Sequence, residues 1–476
     1  MTAQTILPAN TLSSGAYEVA NSARFNDGSS DNLQKTYGTP TNSKIFGLSW
    51  WVKLGKAWDN SGSQDFWGER AGSNDRVFMG INADGTFQYF EKDGGSTVLD
   101  IKTNRLFRDI SAWYHFLLLG DSTQGTNSNR LKLYVNGVQE TSLSTASYPA
   151  EDYTFRLAIN TTKYFGRIGL GGSLSTNYYD GYLAEAVFVD GTVTTHTDYG
   201  EFDSDSPNIW KPIDVSGLTF GNNGFHLDFE DSSALGNDVS GNNNDFTVNN
   251  LTSVDQSTDT CTNNFCTLNP LYKQDHAFSE GNLGYTSSDS DWDSAPGTIA
   301  VSSGKWYVEM KITGTASGVT RSVLGLCDER DGNIVAESEF GLTNNVVGDN
   351  VGYGNGDVHK NNAADSGSFS TFGINDILGM YVDLDNGKVY FSKNGTMQNS
   401  GDPTSGSTGT GAISITTGAT YLFGATGYGG GASQMNFGSP PYAVSSGNAD
   451  PNGYGNFEYG TQNYYALNTK NLAEYG

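Results

Sequence analysis

Apolar and polar residues alternate along many short stretches of this chain, with turn residues between them. In "ILGMYVDL", Leu378, Met380, Val382 and Leu384 fall on one side, while Gly379, Tyr381 and Asp383 fall on the other. That period of two is a strand with one buried face. The chain continues through Asn386-Gly387 and Asn394-Gly395, which bracket Lys388 to Lys393. Asn-Gly tolerates positive φ at both centres of a two-residue hairpin turn, so the spacing predicts a meander turning at both pairs.

The same alternation recurs upstream. "FGLSWWVKL" puts Phe46, Leu48, Trp50 and Val52 on one face, and "WYHFLLLGD" does so with Tyr114, Phe116 and Leu118. "RLKLYVNGVQE" gives Leu131, Leu133 and Val135, then a further turn at Asn136-Gly137. In "GKWYVEMKI", Trp306, Val308, Met310 and Ile312 are expected inside, with Lys305, Tyr307, Glu309 and Lys311 facing out. No long amphipathic helix interrupts the first block, so a sandwich is the natural fold. The expectation is an all-β protein with two antiparallel β-sandwiches. Residues 1–16 form a polar N-terminal arm, 17–194 a first sandwich and 195–275 an Asn/Asp/Ser-rich connector. Residues 276–440 form a second sandwich and 441–476 a Tyr/Asn/Gly-rich C-terminal segment. The connector is expected to pack on a domain, because Phe220, Phe225, Phe229 and Phe246 need burial.

Composition narrows the partners. The chain of 476 residues carries 26 Lys+Arg against 52 Asp+Glu, a formal charge of −26. A nucleic-acid backbone needs clustered cations, and so does docking on an anionic membrane, so neither is expected. No apolar run is long enough to span a bilayer, and the N-terminus lacks the basic and apolar regions of a signal peptide. The three cysteines, Cys261, Cys266 and Cys327, are too few for a disulfide framework or a zinc quartet. Cys261 and Cys266 are close enough in sequence to bridge, although free buried thiols are the simpler reading.

Catalytic patterns are missing. Gly-Lys pairs at Gly55, Gly304 and Gly387 are followed by no Ser or Thr, so there is no P-loop, and no Gly-x-Ser-x-Gly elbow occurs. His115, His196, His226, His276 and His359 are scattered, and His115 reads as structural among apolar neighbours. One loop, "DVSGNNND", alternates oxygen ligands at Asp238, Ser240, Asn242 and Asn244, with Asp245 adjacent. Hard oxygens in a tight loop suit calcium. The same pattern is also an Asx-rich turn bonded to its own backbone. "SSDSDWD", with Asp289, Asp291 and Asp293, reads as a solvated acidic loop. Tyr164 and Tyr428 have the type and setting for stacking on sugar, but both are also ordinary strand ends. No cofactor is expected.

The first block, through "FGLSWWVKL", "AWYHFLLLGD", "LKLYVNG" and "YYDGYLAEAVFVDG", resembles a laminin-G-like, concanavalin A-like lectin domain. The second, through "GKWYVEMKI", "INDILGMYVDLDNGKVYFSKNGT" and "MNFG", resembles a SPRY domain. Both families are concanavalin-like jelly-roll sandwiches. "LPANTLSSG", "SARFNDGSSDNL", "FHLDFEDSSALGNDVSGNNNDFT", "TDTCTNNFCTLNPL" and "YYALNTKNLAEYG" resemble phrases of tailed-bacteriophage proteins that pair these two domains. In that family a Cys usually stands where this chain has Asn468.

The resemblance implies a non-catalytic virion structural protein, made in the bacterial cytoplasm. A tail fibre or fibre-like appendage touching the host surface, with glycan binding in view, is the first reading. A capsid decoration protein is the alternative, and a polysaccharide-degrading tail enzyme a third. Implied partners are other tail or capsid proteins, copies of itself (a trimer is the common fibre solution) and a host polysaccharide or receptor. Glucanases of this fold carry Glu-x-Asp-x-x-Glu or Glu-x-Asp-x-Glu on one strand. The nearest stretch, "FHLDFED", has His226 at the first Glu position before Asp228, Glu230 and Asp231, so the nucleophile is missing. "EAVFVD", Glu185 to Asp190, does not fit the motif either.

Overall fold

A computed structural model describes residues 17–56, 62–70, 72–167, 177–272, 276–288, 290–330, 339–342 and 348–476. The expected N-terminal arm lies outside them, as does Asp289. The protein is all-β, and its chain forms two compact units, Leu12–Thr262 and a second built mainly from Asn263–Gly476.

In the first unit one sheet runs in the order Val138–Gln139, Leu131–Val135, Trp113–Asp121, Ile45–Leu54, Gly181–Asp190, Ser22–Phe25, Gln256–Ser257. Phe225–Leu227 also pairs with Gly181–Asp190. The facing sheet runs Leu143–Ser147, Ser96–Leu106, Thr86–Asp93, Arg76–Ile81, Gln64–Arg70, Thr162–Phe165, Asn32–Thr36, Thr247–Asn249. Of the stretch 195–275, read above as connector, Phe225–Leu227, Thr247–Asn249 and Gln256–Ser257 thus supply strands to the two sheets. The predicted inward residues Phe46, Leu48, Trp50, Val52, Phe116, Leu118, Leu131, Leu133 and Val135 all lie in the shared core. Alternation does not show that the other face is covered as well. Trp51, Trp113, Tyr182 and Trp210 form one outer apolar layer, and Leu117, Val187, Tyr199 and Phe220 another. Ile45–Leu54 is therefore buried on both faces over almost its whole length.

In the second unit the larger sheet runs His276–Ser279, Gly284–Ser287, Ala432–Asn436, Lys305–Gly314, Ile377–Asp383, Lys388–Lys393, Thr396–Met397. The smaller runs Trp292–Val301, Tyr421–Tyr428, Ser322–Asp328, Asn350–Tyr353, Val358–Lys360, Ala363–Ala364. The meander forms, with one correction. Lys393 pairs with Thr396 around Asn394-Gly395, whose φ values of 48° and 75° are those of a two-residue turn. At the other pair, Asp383 is opposite Lys388, so the loop has four residues and only Gly387 is left-handed. The Asp383 carboxylate accepts from the Asn386 N–H and side chain, holding this longer loop.

The expected outward face of Lys305–Gly314 is also corrected. Tyr307 and Glu309 are fully buried, because residues 441–476 fold across that side. Phe457, Tyr464 and Ala466 pack there with Tyr307, Tyr381 and Tyr390. Tyr465–Ala466 adds a short parallel strand. Asn468, the departure from the family phrase, is the N-cap of the terminal helix Thr469–Tyr475 and accepts from the Asn471 N–H at 2.9 Å. Asn suits that position because its side-chain oxygen satisfies a helix N–H that has no intrahelical partner. No helix among the described residues is long and apolar enough to cross a membrane.

Candidate functional site

The candidate site grows from Leu131–Val135, a strand near the edge of the first sandwich. Leu131, Leu133 and Val135 anchor it in the core, so Lys132 and Tyr134 face the opposite side, half-exposed. Asn136 and Gly137, at φ 48° and 75°, turn the chain back into Val138–Gln139. Gly137 has a second reason to lack a side chain, since a Cβ there would come within 2.1 Å of the Trp210 ring.

A run of stacked rings lies against this strand. The Tyr134 and His196 rings stack at 5.0 Å and 7°, and His196 stacks on Trp210 at 6.0 Å. Phe202 meets Trp210 edge-on at 5.0 Å. A capping box between Thr195 and Asp198 shapes the turn that carries His196. Trp210 is held from behind, where its indole N–H donates to Nδ1 of His115 at 3.0 Å. That bond leaves the proton of His115 on Nε2, where it faces Ser49 Oγ at 2.8 Å. Burial pushes the His115 pKa down to about 3, so the ring stays neutral and acts as a brace.

Beside Tyr134 and His196 opens a groove of about 440 Å³, lined also by Leu119, Lys132, Val193 and Thr194. Asp121 reaches the same groove, but its carboxylate accepts from Thr123 and Gln124. A flat ring beside hydroxyls and one amine suits a ligand with an apolar face and a rim of hydroxyls. Glycoside hydrolysis needs two carboxyl groups across the scissile bond, and among the described residues the groove presents one, already engaged.

The other sequence candidates sit elsewhere. Glu185 and His226 come together, with Oε2 and Nε2 2.9 Å apart. Sequence spacing did not reveal the pair, because pairing of Gly181–Asp190 with Phe225–Leu227 creates it. Burial lowers the His226 pKa, but the Glu185 carboxylate outweighs this and the net shift is upward. Both side chains are buried and Tyr17 closes over Glu185, so the pair is a structural ion pair. Glu230 and Asp231 are exposed.

The loop read for calcium is tied up internally. Both oxygens of Asp238 accept donors, from the His226 and Ser240 N–H groups and from Ser240 Oγ and the Asn244 N–H. Asp245 accepts from the Asp238 N–H. The Asn242 and Asn244 amides both donate to the Gly224 carbonyl, and also to Gly221 and Asn222 respectively. Those bonds are the Asx-turn pattern, and no group of three or more metal-ligating His, Cys, Asp or Glu occurs among the described residues. Of the acidic stretch, Asp291 is exposed but Asp293 is fully buried on Trp292–Val301. Tyr164 is mostly buried beneath Arg167. Tyr428 is half-exposed between Trp292 at 5.3 Å and Arg321. None of the three cysteines is in a disulfide.

One buried carboxyl stands apart. Asp65 Oδ1 accepts from Ser63 Oγ, while Oδ2 has no partner among the described residues, and burial pushes its pKa up to about 7. The folded state therefore keeps a proton that the unfolded chain loses above its normal pKa of 3.8. Stability is expected to fall between pH 4 and 7, at up to about 1.4 kcal/mol per pH unit, and then level off. Asp65→Asn should flatten that slope in urea unfolding curves taken across this range. An unchanged slope would show that Asp65 does not carry it.

Comparison with known proteins agrees with this architecture. Residues 27–197 match the family described as the concanavalin A-like lectin/glucanases superfamily. No curated protein matches the chain. Among solved structures, the SPRY domain of human HERC1 is similar at 14% identity and TM-score 0.28, covering 35% of this chain and 96% of that one. The native heptameric SAP-like pentraxin from Limulus polyphemus is similar at 16% identity and TM-score 0.28, covering 38% and 82%. A human SPRY domain is similar at 12% identity and TM-score 0.25, covering 36% and 98%. Residues 27–197 are thus similar to a laminin-G-like, concanavalin A-like lectin domain, and SPRY domains are among the solved structures that the chain resembles.

Proposed function

We propose that this is a non-catalytic, sugar-binding structural protein of a bacteriophage particle, a tail fibre or similar appendage that contacts the host surface. The observation that carries the sugar-binding part is the groove beside stacked Tyr134 and His196, set in a domain that matches a lectin and glucanase superfamily. The groove offers ring faces, an amine and hydroxyls, with no free pair of carboxylates, which favours binding over cleavage. The particle part rests on the phrases at the domain joins that resemble tailed-phage proteins. On this reading the partners are other virion proteins, further copies of the chain and a polysaccharide of the host envelope. The protein resides in the virion, and a capsid decoration role is the alternative.

Tyr134→Ala is expected to weaken binding to isolated host envelope polysaccharide by about tenfold, ~1.4 kcal/mol, with an unchanged melting temperature. Unaltered binding would remove the groove from the proposal. Release of reducing ends by the wild-type protein would overturn the non-catalytic reading. Immunogold labelling of purified particles checks the location. Label on tails or fibres is the expected result, uniform label over the head would support decoration, and absence of label would overturn the virion assignment.

A further inference from the structure

A second groove, of about 300 Å³, lies on the other side of the same strand. Leu131 and Leu133 form its floor, and Gln139, Glu140, Thr141 and Tyr148 rise around it. Because side chains alternate across a strand, the two grooves occupy opposite faces of Leu131–Val135. Asn129 and Lys132 line both. Asn129 is exposed at the end of the turn Asn127–Asn129, directly before the strand begins. We infer that the ligand is an extended, uncharged polysaccharide that stacks in the first groove, passes Asn129 and Lys132, and continues into the second.

Two features of the strand lead there. A single sugar would occupy one groove and leave the other unused, whereas Asn129 and Lys132, which line both, offer a longer chain polar contacts between them. Filling both grooves with one chain makes the second contact intramolecular and raises affinity without new chemistry. Charge sets the class of polymer. Asp121 belongs to the first groove and Glu140 to the second, with Lys132 between them. Two acids against one amine, on a chain of net charge −26, repel a polyanion and leave neutral sugar hydroxyls as the fitting partners. Glu140 already accepts from the Ser142 N–H, so it serves as an acceptor wall for hydroxyl donors.

This inference rests on the sugar-binding reading, and the experiment separates the two. Full-length protein is applied to a printed panel of neutral gluco-, galacto-, manno- and rhamno-oligosaccharides of two to eight sugars, with uronic-acid ladders beside them. Binding on a neutral ladder is expected to rise at least tenfold from the disaccharide to the longest members. Gln139→Arg and Thr141→Arg place bulk in the second groove at exposed positions, so the fold should tolerate them. Both should abolish the gain with length and leave disaccharide binding intact, while Tyr134→Ala should lose both. Length-independent binding, or a length gain that survives both arginine variants, would overturn the two-groove path and leave the lectin reading standing. Preference for uronic-acid ladders would overturn the assignment to uncharged sugar. Binding to no ladder would overturn this inference together with the sugar-binding reading.

Discussion

Glu309→Ala is expected to destabilise the second sandwich by about 4 kcal/mol and to release residues 441–476 to protease. The Glu309 carboxylate is fully buried and accepts five hydrogen bonds. Tyr307 Oη and the Tyr459 N–H donate to Oε1 at 3.0 and 2.8 Å. Asn436 Nδ2, Tyr442 Oη and the Glu458 N–H donate to Oε2 at 3.1, 3.3 and 3.0 Å. Three of the five donors belong to the C-terminal segment, so this single side chain ties that segment to Lys305–Gly314. Burial pushes the carboxyl pKa up, while the donors pull it back. Alanine removes every acceptor at once and leaves buried donors unpaired, which costs more than the bonds themselves contribute. Urea unfolding with tryptic digestion measures both effects. Glu309→Gln keeps one acceptor and should fall between wild type and alanine. A loss below about 0.5 kcal/mol for Glu309→Ala would mean that water replaces the carboxylate, and the strap would need another anchor.

The second large effect is expected in the first sandwich at Glu69. Its two oxygens face Arg156 Nη2, at 2.6 Å, and the Lys163 ammonium. All three side chains are buried, and Lys163 also donates to the Arg156 carbonyl at 2.7 Å. Arg156 has further carboxylates at Asp93 and Asp75, at 2.9 and 3.5 Å, whereas the Lys163 ammonium pairs with Glu69 alone among the described residues. Glu69→Ala should cost about 3–5 kcal/mol at pH 6, because it strands the lysine charge in a dry site. Burial lowers the Lys163 pKa to about 8, against the pull of Glu69. Without Glu69 that pKa drops further, and the amine escapes the penalty by losing its proton. The variant's deficit should therefore be clearly smaller at pH 9 than at pH 6. An equal deficit at both values would locate the cost in packing and remove the charge argument.

Two buried carboxylates, Glu309 and Glu91, show how far a linear reading goes. Glu309 follows Tyr307 by two residues, and Glu91 follows Tyr89 in the same way. In both sandwiches the Tyr hydroxyl donates to the Glu, which also accepts two backbone N–H groups from a distant segment. On a strand, residues two apart share a face, so a Tyr-x-Glu pair is visible in sequence. Its burial is not visible, because the covering segment lies over a hundred residues away for Glu309. Period-two reasoning therefore placed Glu309 at the surface.

Legible in the sequence were the all-β class and the inward faces of the stretches around Phe46, Tyr114, Leu131, Trp306 and Leu378. Each of these depends on residues within a few positions of one another. The sequence also showed the Asn-Gly turns at Asn136-Gly137 and Asn394-Gly395, where local φ preference suffices. Asp383 and Asn386 misled the turn count, because a side-chain cap stabilised a longer loop. Long-range pairing, invisible locally, builds Phe225–Leu227, Thr247–Asn249 and Gln256–Ser257 into the first sandwich and lays the C-terminal segment over the second. Only the tertiary structure placed Tyr134, His196 and Trp210 in one stack. Those residues lie on separate segments, and no local periodicity links them. Their meeting depends on sheet order, which in turn depends on burying both faces of the same strands.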